Sequence, residues 1–327
     1  MTDSDVDTIV ARALDGDRAA LARVVSLVEQ GGEPARVASA QYHRQAGHAW
    51  VVGITGAPGA GKSTLTDRLV ATLLERGAAG ELGDSQRAGE ARVGVLAIDP
   101  TSPFTGGAIL GDRVRMQEHA TDPRVFIRSM ATRGHLGGLS ASAPQAARLL
   151  DAAGYDWVIV ETVGVGQVEV EVAGHADTTV VVVNPGWGDA VQANKAGLME
   201  IADVFVVNKA DRAGARDAVR ELDAMLELSV ARDWRPPILS TVATAGEGIA
   251  ELADALETHR AHLESVGEVA ARRRARAAEE LTAVAVELVA HDALARCNGP
   301  EFDALVDAVA CGSTDPYEAA ARLLGSR

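Results

Sequence analysis

The sequence predicts an α/β protein: a doubly wound, mostly parallel sheet with helical extensions at its N- and C-terminal ends. Three observations predict it. Seven short β-rich runs lie between residues 51 and 243, and most are continuous apolar stretches, the mark of strands covered by helices on both faces. Helical patterns such as KSTLTDRLVATLLERG separate several of them. A glycine-rich turn, GITGAPGAGKST, follows the first run and opens a helix.

Length and composition set the bounds. A chain of 327 residues that is 47% hydrophobic can bury a substantial core. A formal charge of −15 argues against non-specific binding to nucleic acid or to anionic membranes, which favour positive surfaces. Cys297 and Cys311 read as two ordinary thiols, with a structural disulfide as the alternative. The acidic start MTDSDVDTIV has neither the apolar core of a signal peptide nor the arginines of a transit peptide. With no apolar run near the ~20 residues of a membrane span, the expected location is cytoplasmic.

The elements are taken in chain order. From Asp5 to about Gln30, Val6, Ile9, Val10, Leu14, Leu21, Val24, Val25 and Val28 recur at helical spacing, and GGEP then punctuates the chain. The strands are VVGIT from Val51, VGVLAID from Val93, VFIRSM from Val125, WVIVET from Trp157, TTVVVVN from Thr178, VFVVNK from Val204 and PILSTVA from Pro237. Ala78 to Glu90 is polar, glycine-dotted and aperiodic, as in a mobile surface loop. From Ile249 the pattern is long amphipathic helix, broken near Gly267, with a last helix capped by Asp315 and started by Pro316. The basic run Arg272, Arg273, Arg274 and Arg276 reads as a solvated helix face. The boundaries expected are an N-terminal helical extension over 1–48, a nucleotide-binding domain over 49–255 and a helical dimerisation region over 256–327. Dimerisation is expected because the apolar residues Leu281, Val284, Val286, Leu288 and Val289 need a partner surface; folding back on the same subunit is the alternative.

Gly56, then Ala57, Pro58, Gly59 and Ala60, then Gly61-Lys62-Ser63 match the spacing of a P-loop, with Thr64 next in the helix. Small residues let successive backbone N–H groups curl around phosphate oxygens, and the helix N-terminus adds partial positive charge. Lys62 is placed to reach the β- and γ-phosphates, and the Ser63 hydroxyl to ligate magnesium. Downstream, NKAD ends a strand with Asn208, Lys209 and Asp211. A carboxylate at Asp211 accepts from both guanine's ring N–H and its 2-amino group, whereas adenine leaves it unmatched. Lys209 lays its stem over the base and Asn208 ties the loop together. Ser240, Thr241 and Val242, in STVAT, occupy the place where backbone amides approach the guanine oxygen, although the usual Ser-Ala-Lys is absent. The expected ligands are GTP or GDP with magnesium.

The run WVIVETVGVGQ ends a buried strand in an acid, Glu161, three residues before Gly164, where GTPases usually place aspartate. Taken together, GAPGAGKS, AIDPTSPFTGGAILGDRVRM, RGHLGGLS, ETVGVGQVEVEV, VNPGWGDAVQANKAG and NKAD resemble the MeaB/ArgK family, closely over residues 45 to 255. That family belongs to the metallochaperone-like P-loop GTPases and acts on adenosylcobalamin-dependent methylmalonyl-CoA mutase. The resemblance makes glutamate the expected residue at 161, contacting magnesium through water or contacting the attacking water. It implies Asp99 as the second acid of the metal shell, with strand-end duty as the alternative. Asp112 lies in the family's switch region, where metal contact and simple capping stay open. Val165 stands where Ras-like enzymes carry a water-orienting glutamine, so unassisted hydrolysis is expected at only ~10⁻³ to 10⁻² s⁻¹.

Asp189, Gln192 and Lys195 fall three apart, on one side of a helical turn. The resemblance makes this segment a further switch that meets the mutase, with Lys195 acting on the phosphates and Asp189 holding it; the alternative is an ordinary surface ion pair. Trp187 is the candidate interface anchor. His119, His135 and His175 are scattered and form no histidine-rich tract, which disfavours nickel delivery. The function expected is a GTP-hydrolysing chaperone of methylmalonyl-CoA mutase. The alternatives are a kinase or ATPase of a periplasmic lysine/arginine/ornithine transport system, or a GTPase serving another acyl-CoA mutase.

Overall fold

A computed structural model describes residues 2–80, 90–100, 116–119, 121–132, 142–162, 174–186, 195–228 and 233–325. Residues 81–89 of the expected loop, and Asp112, His135, Gly164, Val165, Trp187, Asp189 and Gln192, lie outside them.

The N-terminal helical pattern is divided. Helix α1 (Asp3–Leu14) begins with a capping box at Thr2, and α2 (Arg18–Gln30) begins at Asp17, whose side chain accepts from the N–H groups of Ala19 and Ala20. Helix α3 (Gly32–Tyr42) follows. Their apolar faces, including Val6, Val10, Val24 and Val25, are buried in one core with sheet residues Leu96, Ile98, Phe126, Val158 and Val160. The first 48 residues are therefore packed into the sheet's own hydrophobic core.

The sheet is assembled from β1 (Trp50–Gly56), β2 (Val93–Pro100), β3 (Val125–Thr132), β4 (Trp157–Thr162), β5 (Thr178–Val183), β6 (Val204–Asn208) and β7 (Ile238–Thr241). Its order is β3-β2-β4-β1-β5-β6-β7, with every pairing parallel. Helices α4 (Lys62–Ala79), α5 (Ser142–Ala152), α6 (Lys195–Ile201) and α7 (Ala215–Leu228) lie between strands in the chain, and α8 (Ile249–Ser265) follows β7. The continuous apolar runs divide by parity: Val52, Ile54, Ile159, Val180 and Val182 pack with α4 and α8, while Val181, Val183, Phe205 and Val207 pack with α6 and α7 on the other face. Val180 to Val183 are all fully buried, each worth about 1.5–3 kcal/mol of apolar burial. Because β1 is central and successive strands leave to either side of it, the crevice at its C-terminal end is the natural ligand position.

Helix α8 stops at Ser265, Gly267 turns with φ 72°, and α9 (Glu268–Arg296) starts anew. Residues 1–273 form one compact unit and 274–327 a second. The second contains the rest of α9 with α10 (Pro300–Ala310) and α11 (Pro316–Leu324), the latter capped by Asp315 through the N–H groups of Tyr317 and Glu318. Leu281 and Val289 are 71% and 70% exposed, and Val286, Leu288 and Leu294 are exposed as well. Cys297 and Cys311 are free thiols. Among the described residues no helix is long and apolar enough to cross a membrane.

The basic run is not uniformly a solvated face. Arg272 lies 3.2 Å from Asp203, and Arg273 lies 3.5 Å from Asp177 while donating to the carbonyls of Gly47 (2.6 Å) and Ala49 (3.2 Å). Both carboxylates are buried at the N-terminal ends of β5 and β6, where an uncompensated charge is costly. Burial opposes ionisation of Asp203, but His259, Arg272 and the Thr179 N–H outweigh it and hold its carboxyl below the usual range. His259 is itself fully buried, its Nδ1 2.9 Å from the Thr178 hydroxyl, which also accepts from the Trp50 indole.

Candidate nucleotide-binding site

At the C-terminal end of β1 the backbone is pressed against β5: a Cβ on Gly56 would lie 1.9 Å from the Val182 carbonyl oxygen. Only glycine fits there. The chain then turns through Ala57, Pro58, Gly59 and Ala60 to Gly61, which has φ 92° and stands at the N-cap of α4. No side chain caps α4, so its first amides face the loop that precedes it. A Cβ on Gly61 would come within 2.5 Å of the Asn208 amide nitrogen. The small residues thus make room for two neighbouring strands as well as for phosphate.

Lys62 is buried, and its Nζ donates to the carbonyls of Gly56 (2.6 Å) and Ala57 (3.1 Å). That posture spans the loop a phosphate chain occupies. Ser63 donates from Oγ to Glu161 Oε1 at 2.5 Å, with both residues buried, while Thr64 is exposed. Glu161 pairs with Ala97 across the sheet, and Asp99 stands two residues further along β2 on the same face, fully buried. One hydroxyl and two carboxylates on that face are hard oxygen donors, the set that suits magnesium. No cluster of three or more His, Cys, Asp or Glu ligands occurs among the described residues.

The base side is organised by Asn208, buried at the end of β6. Its amide donates to the Ala60 carbonyl (2.8 Å), and its Oδ1 accepts from the Thr241 hydroxyl and the Ala243 N–H, both at 3.1 Å. One side chain ties the phosphate loop to β7. Lys209 follows with φ 58°, the one positive value at a non-glycine among the described residues, and donates from Nζ to the Gly59 carbonyl (2.6 Å). Its stem therefore lies along the loop, as a cover for a base requires, and Asp211 is exposed beside it. Ser240 is exposed on β7, and the Val242 N–H donates to Glu247 (3.1 Å).

The structure thus brings together Gly56 to Ser63, Asp99, Glu161, Asn208, Lys209 and Thr241 at one end of the sheet. Lys195 opens α6; Asp112 and Asp189 are outside the described residues. Sequence reading missed Ala243, because its amide is engaged by a side chain 35 residues away.

Comparison with known proteins agrees with this geometry. The profile of the family described as "Methylmalonyl Co-A mutase-associated GTPase MeaB" matches residues 21–298. A putative GTPase of Pyrococcus abyssi is 48% identical over 323 residues, 98% of this chain and 96% of that one. The mitochondrial methylmalonic aciduria type A homolog of Mus musculus is 35% identical over 288 residues, 82% of this chain and 66% of that one. The crystal structure of an LAO/AO transport system kinase superposes with a TM-score of 0.69 at 28% identity, covering 99% of this chain and 98% of that one. The chain belongs to the MeaB family of P-loop GTPases, and it binds and hydrolyses GTP.

Proposed function

We propose that this GTPase is a chaperone of an adenosylcobalamin-dependent mutase, methylmalonyl-CoA mutase, gating delivery of the cofactor and protecting the mutase. The observation that carries the reading is the family match across residues 21–298, whose description names association with that mutase. In this reading Lys62 holds the β- and γ-phosphates, and Ser63, Asp99 and Glu161 hold magnesium, directly or through water, with Asp112 joining them when GTP is bound. Magnesium, when bound, neutralises charge developing between the β- and γ-phosphates. Asp211 reads the guanine edge while Lys209 covers the base. Asp189 and Lys195 belong to the segment that the mutase engages, and Lys195 supplies positive charge to the transferring phosphoryl group. Two copies associate through the exposed apolar residues of α9, among them Leu281, Val286, Leu288 and Val289.

The relative named as a transport system kinase supports a second reading, phosphoryl transfer to a protein of an amino-acid transport system. Asn208, Lys209 and Asp211 speak for guanine, whereas such kinases ordinarily take ATP. Calorimetric titration of the full-length protein with purified methylmalonyl-CoA mutase, in GDP and in a non-hydrolysable GTP analogue, tests the proposal. Nucleotide-dependent binding is the expected result; absence of binding in both states contradicts it.

A further inference from the structure

The four strands that meet at the phosphate site do not end together. Backbone pairing of β1 with β5 runs on to Gly56 and Val182, and that of β2 with β4 to Ile98 and Thr162. Between β1 and β4 it stops earlier, at Ile54 and Glu161. One residue beyond that last pair a side-chain bond takes over: the Thr162 hydroxyl donates to the Thr55 hydroxyl at 3.2 Å, with Thr55 0% and Thr162 1% exposed. Each threonine adjoins a group of the site. Thr55 precedes Gly56, whose carbonyl accepts from Lys62; Thr162 follows Glu161, which accepts from Ser63.

We infer that Thr162, through Thr55, is a positioning residue for GTP hydrolysis. The hydroxyl bridge sets how far β1 and β4 part where the crevice opens, and so fixes Glu161 relative to the phosphate loop. Geometry follows from the ladder: the last backbone pair of β1 with β4 is Ile54 with Glu161, and the hydroxyl bond extends the contact between the two strands one residue further towards the crevice. A carboxylate displaced by a fraction of an ångström lowers the rate while leaving loop and base contacts intact. A buried hydroxyl pair serving stability alone affects melting and not turnover.

The inference rests on the magnesium-dependent reading of the site, and the test separates the two. GTP turnover is measured for the wild type, Thr162→Val, Thr162→Ser, Thr55→Val and the double valine variant, with thermal melting alongside. Thr162→Val is expected to lower kcat about tenfold with KM for GTP within about twofold of wild type. Thr162→Ser restores most of the rate, Thr55→Val matches Thr162→Val from the other side of the bridge, and the double variant is no worse than either single one. The gain in GDP affinity on adding magnesium, measured by calorimetry, shrinks in both valine variants. Wild-type kcat in the folded Thr162→Val or Thr55→Val protein overturns the inference, as does Thr162→Ser impaired as severely as Thr162→Val. Wild-type turnover that needs no magnesium removes its basis and overturns it too.

Discussion

Asp211 and Asn208 stand three residues apart on the same strand end and test different things. Asp211 is exposed and, in the proposed reading, makes its contacts with the base, so Asp211→Asn is expected to spare folding and erode guanine preference. Losing a charge-assisted hydrogen bond worth about 1.5–3 kcal/mol lowers GTP-over-ATP selectivity by roughly one to two decades in a competition titration. Asn208 makes its contacts within the protein: Ala60, Thr241 and Ala243 each lose a partner when it is removed. Asn208→Ala is expected to cost about 2 kcal/mol or more of stability and to weaken nucleotide binding together with it. Denaturant unfolding that matches wild type contradicts that assignment. Local chemistry made the phosphate loop legible in the sequence, since Gly56 to Ser63 are contiguous and each type has a steric or charge reason. The Asn208 network was legible only at Asn208 and Thr241. The role of Ala243 is carried by a backbone amide, and nothing about alanine announces a hydrogen-bond donor.

The strands were readable because parallel sheets bury both faces, which leaves runs such as Val180 to Val183 with no polar residue to misplace. The start of α9 was not. Arg272 and Arg273 sit in a basic run that resembles any solvated helix, while the carboxylates they meet lie 69 and 96 residues earlier. Long-range pairing of this kind leaves no periodicity to read. It does leave a pH signature. Because the folded protein holds the Asp203 carboxyl below its ordinary value, this group favours folding fully above the ordinary carboxylate pKa of about 4. That contribution is lost as pH falls through the lower folded value. Asp203→Asn is expected to lower stability by about 2 kcal/mol at pH 7, and the gap to wild type should narrow in strong acid. Denaturant unfolding at both pH values checks it; a gap that widens in acid contradicts the assignment.

At the scale of the whole molecule, the first compact unit carries Gly56 to Ser63, Asp99, Glu161, Asn208 and Lys209, and the second has exposed apolar residues. The sequence places a boundary near residue 255, where the strand pattern ends. The first compact unit runs to Arg273, because the second turn of α9 is held by Asp203 and Asp177. On the proposed association through α9, the full chain is expected to be a dimer by light scattering and a chain ending at Arg273 a folded monomer; a truncated dimer contradicts that association. The family resemblance was visible in the strings ETVGVGQ and DPTSPFTGGAILGDR, yet the partner it implies is a surface question that core patterning does not address. The central claim, a GTPase governed by its mutase, is tested most directly by the GTP turnover rate of the full-length protein with and without saturating methylmalonyl-CoA mutase. The account predicts slow turnover alone and an acceleration of about ten- to a hundredfold by the mutase, about 1.4–2.7 kcal/mol of added transition-state stabilisation, most of it lost in Lys195→Ala. A rate unchanged by the mutase, or an acceleration undiminished in Lys195→Ala, contradicts it.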